Sequence, residues 1–182
     1  VGGSLNLIST STASSSATID ITSGLDSTYK EYIIKFINLH PATDSVHFLF
    51  QGDTGTNTSY NQTITSACFR SYNYEGSGTP TLQYYGSGDL GQSTDFHYMT
   101  GNAGVGNDSD QDFNGTMHLF DPSNTTFVKH FLIDTHSHGP SNYTMRFFAG
   151  GYFNTTTAIT RLRFKFSSGN IDSGTIKLYG VS

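Results

Sequence analysis

The chain is written largely in a period of two. From Ala158 to Val181 the sequence AITRLRFKFSSGNIDSGTIKLYGV puts Leu162, Phe164 and Phe166 on one face and Arg161, Arg163 and Lys165 on the other, the alternation of a half-buried strand. After Ser-Ser-Gly-Asn a second arm repeats the pattern, with Ile176 and Leu178 inward and Thr175, Lys177 and Tyr179 outward. Turn residues between two alternating runs predict a β-hairpin that closes a sheet. The basic row reads as the solvated face of its strand, since alternation alone accounts for it.

The same reading carries upstream. A short apolar run, Leu5 to Ile8, leads into a Ser/Thr-rich stretch, Ser9 to Ser16, expected to be a polar connection or exposed arm. Residues 1–16 therefore read as an N-terminal strand and arm ahead of a β-sandwich over 17–182, whose first strand is Ala17 to Thr22. Tyr29 to Leu39 is apolar at both parities in its middle, which predicts a central strand covered on both sides. His40-Pro41 is expected to stop it, because proline has no N–H to give a ladder and constrains its predecessor. Val46 to Gln51 then runs back, and from Gly52 to Gly106 the chain turns to Gly, Ser, Thr, Asn and Tyr, with turn signals at Gly76-Ser77-Gly78, Thr79-Pro80, Gly86-Ser87-Gly88 and Gly101-Asn102. Strands at Gln62 to Tyr74 and Leu82 to Tyr85 are expected there between long polar surface loops, the usual place for contacts on a β scaffold. Core signals return at Phe113 to Phe120, Thr126 to Thr135 and Tyr143 to Phe153. No segment sustains a 3.6-residue period with caps. The fold expected is all-β, a single-domain, jelly-roll-like antiparallel β-sandwich.

Composition narrows the function. With 14% aromatic and 13% charged residues over 182 positions, the chain has enough to bury for one domain. A net charge of −5 argues against sequence-independent nucleic-acid binding. No run approaches the roughly 20 apolar residues of a membrane helix, so no membrane insertion is expected. A start at Val1 rather than Met predicts processing or trimming upstream. The single Cys68 leaves no intramolecular disulfide and reads as a packed thiol. Seven Asn-x-Ser/Thr sequons, at Asn57, Asn61, Asn107, Asn114, Asn124, Asn142 and Asn154, are accounted for in good part by the Ser/Thr-rich composition.

Candidate chemistry is sparse. Asp134, His136 and His138 alternate along one run and would project to one side of an extended strand, the beginning of a transition-metal site. Gly139-Pro140 follows at once, so His138 is expected in a turn where the alternation fails. Asp108, Asp110 and Asp112 are spaced like oxygen ligands of a calcium loop, but Phe113 and Leu119 stand where an EF-hand needs Gly and Glu. The two glutamates, Glu31 and Glu75, would have to converge from distant segments to act as a glycosidase pair. Neither a G-x-S-x-G elbow nor a phosphate loop is present. No enzymatic activity and no cofactor are expected. Tyr60, Tyr72, Tyr74, Tyr84, Tyr85 and Tyr98, set among Gly, Asn, Asp and Gln, are candidates either for a subunit interface, where Tyr is enriched, or for stacking on sugar rings.

The segments SGLDSTYKEYIIKFINLHPATD (Ser23 to Asp44), LFDPSNTTFVKHF (Leu119 to Phe131) and AGGYFNTTTAITRLRFKFSSGNIDSGTIKLYGV (Ala149 to Val181), with the polar middle between them, resemble a family of small virion structural proteins of tailed bacteriophages, marine ones in particular. The resemblance implies an all-β module on the virion surface, a head decoration or a fibre or tail domain, assembled in the host cytoplasm. Its partners would be other virion proteins and further copies of itself, a trimer among the states open to it, with a host-surface glycan as the alternative. The family has no catalytic motif to carry over.

Overall fold

The computed structural model describes residues 3–76 and 78–182; Val1, Gly2 and Ser77, the last within an expected turn, lie outside the described residues. Among the described residues twelve strands run in order: β1 Leu5–Thr12, β2 Ile19–Ile21, β3 Glu31–Pro41, β4 Phe48–Thr54, β5 Ile64–Tyr74, β6 Thr81–Tyr84, β7 His97–Tyr98, β8 Phe113–Phe120, β9 Lys129–Gly139, β10 Tyr143–Phe153, β11 Ile159–Phe166 and β12 Ile171–Val181. They form two antiparallel sheets, one of eight strands in the order β1-β12-β3-β8-β9-β10-β5-β6 and one of four in the order β2-β11-β4-β7. The quartet β1-β12-β3-β8 faces β2-β11-β4-β7, and the connections β1/β2, β3/β4, β7/β8 and β11/β12 all cross between the sheets. That wrapping is a jelly roll. The remaining strands β9, β10, β5 and β6 widen the larger sheet beyond it.

The crossing corrects the expected hairpin. β11 and β12 do not pair; they enter opposite sheets, so Leu162, Phe164 and Phe166 face Ile176 and Leu178 across the core instead of beside them. Alternation identifies which face is buried, and these five residues are all buried, but the same alternation serves a hairpin and an arch equally well. The intervening Ser167–Asn170 is held as an arch by backbone bonds Ser167 N–H to His47 O (2.8 Å) and Ala42 N–H to Asn170 O (3.0 Å). Aromatic packing fills the space between the layers. Phe36 of β3 meets Phe48 of β4 at 5.6 Å and Phe164 of β11 at 5.2 Å, and Phe48 meets Phe113 of β8 at 4.6 Å.

Other expectations shift in detail. Ser9 to Thr12, expected as a polar arm, is the second half of β1 and pairs with β12; its hydroxyls lie at a sheet margin where burial is not required. β3 continues through Pro41, with a bulge between Phe36 and Leu39 and Asn38 at φ 50°. β3 is also covered on one side only. Tyr32, Ile34 and Phe36 are buried, whereas Ile33, Lys35 and Ile37 stand on the outer face. The basic row of β11 is engaged internally: Arg163 forms a two-pronged pair with Asp20 (2.8 and 2.6 Å) and lies 4.1 Å from the Tyr60 ring centre, while Lys165 sits over Phe96 at 4.5 Å.

Candidate functional site

The widened part of the large sheet has an inner face and an outer face with different roles. Its inner face is met only in part by the four-stranded sheet, with Phe50 of β4 5.1 Å from Phe131 of β9 and 6.1 Å from Phe153 of β10, and segments between Gly86 and Gly106 fold under the rest. Thr135 Oγ1 donates to Met99 O (2.6 Å), Tyr143 OH donates to Gly104 O (3.2 Å), and Cys68 N–H donates to Asp89 Oδ1 (2.8 Å). His97, fully buried, joins this layer to β5. Its Nδ1–H is directed at the Tyr98 carbonyl, which fixes the tautomer and leaves Nε2 to accept from Ser66 Oγ (2.8 Å). Burial depresses its pKa to about 4. Ser66 Oγ in turn accepts the Leu90 N–H at 3.0 Å, so the pair works as a strut within the layer.

The tyrosine candidates belong mostly to this layer. Tyr60 is 1% exposed and is a core residue, not a surface contact; its N–H donates to buried Asp53 and its hydroxyl to Asp20. Tyr72 and Tyr85 flank the buried Arg70 guanidinium, with ring centres 5.4 and 4.1 Å away. Tyr74 packs edge-on against Tyr72 and Tyr143 (5.9 and 5.3 Å), and Tyr98 stacks on His47 at 4.5 Å. Only Tyr84 of the six is largely exposed, at 65%, and its hydroxyl donates to Asp89. The six therefore do not assemble into one exposed platform. Tyr60 is buried against Asp53, Asp20 and Arg163 of the four-stranded sheet, Tyr98 packs on His47, and Tyr72, Tyr74 and Tyr85 are taken up around Arg70 and Tyr143 under the widened sheet.

The metal candidates are placed as follows. β9 keeps its alternation through Gly139, contrary to the expected turn, because Tyr143 pairs back against Gly139. Asp134, His136 and His138 do share the outer face, yet each is drawn to a different neighbour: Asp134 receives Arg146 Nε and Nη2 (2.9 and 2.7 Å), His136 meets Thr144 Oγ1 (2.6 Å), and His138 lies 3.6 Å from Glu75. In the 108–112 loop, the Asp108 carbonyl meets His40 Nε2 (3.2 Å), Asp112 accepts from Asn114 (2.8 Å), and Asp110 points to solvent. No three His, Cys, Asp or Glu side chains among the described residues are grouped to share an ion. Glu31 and Glu75 lie at β3 and just past β5, with β8, β9 and β10 between them. Burial pushes the Cys68 thiol pKa far up, and Sγ–H donates to the Tyr85 carbonyl at 3.1 Å; this is a packed thiol.

The outer face of the widened sheet is where the surface chemistry is unusual. Register sets two rows across it. One runs Ile33, His118, Leu132, Gly150, Ala67, and the next runs Asp134, Phe148, Phe69, Tyr84. The solvent face of an antiparallel sheet is ordinarily polar. Here Leu132 is 54% exposed, Phe69 45% and Leu82 72%. Gly150 has no side chain and Ala67 only a methyl, so the first row sinks into an apolar depression of about 380 Å³ walled by Leu132, Phe148, Phe69 and His118. Phe69 and Phe148 stack at 4.8 Å, and the Arg146 guanidinium covers Phe148 at 4.5 Å. Around this centre the polar groups are paired with one another, Asp134 with Arg146 and His118 with Glu31 (2.6 Å). An apolar centre with a satisfied polar rim is the anatomy of a protein interface.

Asp134, Tyr84 and Glu31 apart, these outer residues carry no motif. The signal that marks them is a break in alternation: Ile33-Ile34, Phe131-Leu132, Phe147-Phe148 and Cys68-Phe69 are apolar doublets inside strands, so one member of each must face outward. Compared with protein-family models, curated proteins and solved structures, the chain matches none.

Proposed function

We propose that the protein is a non-enzymatic structural module of a bacteriophage virion, carried on the particle surface as a capsid decoration or as part of a fibre or tail, and that it attaches to neighbouring virion proteins through the outer face of β9, β10 and β5. The virion setting rests on the resemblance of the three segments quoted above. The mode of attachment rests on one observation, the apolar depression around Gly150 with exposed Leu132 and Phe69 beside it. With the other face of the sheet already packed, apolar side chains grouped this way exceed what the fold requires, and an apolar depression rimmed by paired charges suits a protein partner.

The test is substitution of Leu132→Asp and Phe69→Asp, each on the outer face, followed by co-sedimentation with particles assembled without the protein. Both variants should keep the wild-type melting temperature within a few degrees and lose particle binding by about tenfold or more, the effect of removing a central apolar contact. Co-sedimentation at the wild-type level by both folded variants would refute attachment through this face. Glycan-array binding that disappears in Tyr84→Ala would replace the reading with a carbohydrate-binding one.

A further inference from the structure

The edges of the two sheets differ in how they are protected. The large sheet ends at β1 and β6, the small one at β2 and β7. β6 has four residues and follows Pro80, β2 has three and carries Asp20, and β7 has two. Short, charged or proline-flanked edges resist pairing with another chain. β1 is different: eight residues, LNLISTST, without charge or proline.

The ladder to β12 shows which backbone groups of β1 are spent. Ser4 and Ser182 exchange both N–H···O bonds (3.1 and 3.2 Å), and at the other end Ala13 N–H donates to Gly174 O (2.9 Å). Counting by twos from these anchors, Asn6 faces β12 before the bulge between Leu7 and Ser9, and Ser9 and Ser11 face it afterwards. The N–H and C=O groups of Leu5, Leu7, Thr10 and Thr12 are directed away from the sheet, and all four side chains are exposed. The bulge makes this edge selective. An unbulged strand laid along it would match outward groups on one side of Ile8 and miss them on the other. A partner strand with the same bulge, running the opposite way, matches both.

We propose that β1 pairs antiparallel with β1 of a second copy about a two-fold axis between Ile8 and Ser9, joining the two large sheets. Leu5 of one copy lies opposite Thr12 of the other, and Leu7 opposite Thr10, so every outward group meets an outward group and the two bulges face each other. Antiparallel self-pairing is an isologous contact, identical from both sides. It uses the edge opposite the widened region, so it stands or falls independently of attachment through Leu132 and Phe69.

The register is tested by Leu7→Cys combined with Thr10→Cys. Residues in a hydrogen-bonded antiparallel pair have Cα atoms about 5.5 Å apart, inside the range a disulfide spans, and the native Cys68 is buried. Mild oxidation at high micromolar protein should give a covalent dimer of the double variant, with at least about tenfold less from either single variant or from Asn6→Cys with Thr10→Cys. Thr10→Pro removes an N–H that β12 does not use; it should leave the far-UV circular dichroism unchanged and weaken sedimentation-detected dimerisation of the wild type by about tenfold or more. A wild type that stays monomeric at these concentrations, equal cross-linking in the controls, or a dimer undiminished by Thr10→Pro would each overturn the proposal.

Discussion

Protonating His97 should loosen the layer beneath the outer face, and the size of the effect follows from its burial. Its folded-state pKa is depressed to about 4 against an unfolded value of 6.5. Between those values the unfolded chain binds the proton and the folded chain refuses it, so stability is complete above the unfolded pKa and is lost as pH falls toward the folded one. A gap of roughly 2.5 pH units at 1.36 kcal/mol each bounds the loss at about 3 kcal/mol. By pH 5 about 2 kcal/mol of it should be gone. His47, lowered by burial and by Arg70, adds in the same direction. Asp26, held low chiefly by the Thr28 N–H, and Asp121, held low chiefly by Asn124 and then Lys30, lose their contributions only in more acid solution. Urea unfolding at a series of pH values should show wild-type stability falling by about 2 kcal/mol between pH 7.5 and 5. His97→Asn, less stable at neutral pH because Ser66 loses its acceptor, should show a much flatter profile. Parallel profiles for the two proteins would refute the argument, since the slope would then come from other groups.

Two further outcomes are expected. Gly174 has φ +109° and lies so close to the β3 bulge that an added Cβ would stand 2.7 Å from Leu39 Cα, so Gly174→Ala should cost about 2 kcal/mol or more in urea unfolding through backbone strain. Cys68 should resist a thiol-specific reagent in the native state and react fully in denaturant, because its sulfur is buried and hydrogen-bonded; rapid native labelling would contradict the packing of Tyr85 over it.

Much of the fold was legible from periodicity. Strand identities, the inward residues of β11 and β12, and the sandwich class all follow from which positions alternate, because burying one face of a strand imposes a period of two whatever the topology. The Ser9 to Thr12 half of β1 was not legible, since a sheet margin makes no demand for apolar residues. The apolar outer face was half-legible. Ile33 beside Ile34 shows apolarity at both parities, which predicts a strand covered on both sides, and a sequence does not distinguish a face covered within the chain from one left open.

What sequence alone determined is therefore local: where strands lie, which face each buries, and the absence of a compact catalytic motif. The tertiary structure decided three matters that depend on distance between remote segments. It sent β11 and β12 to opposite sheets. It turned the tyrosines of the 52–106 region other than Tyr84 inward, where Arg70, Asp20 and His47 engage Tyr85, Tyr60 and Tyr98. It also aligned Leu132, Gly150, Ala67, Phe148 and Phe69 from three strands into one depression. Alternation constrains each strand separately, whereas register and layer assignment come from pairing energies between residues far apart in the chain, and those are fixed only when the whole core closes.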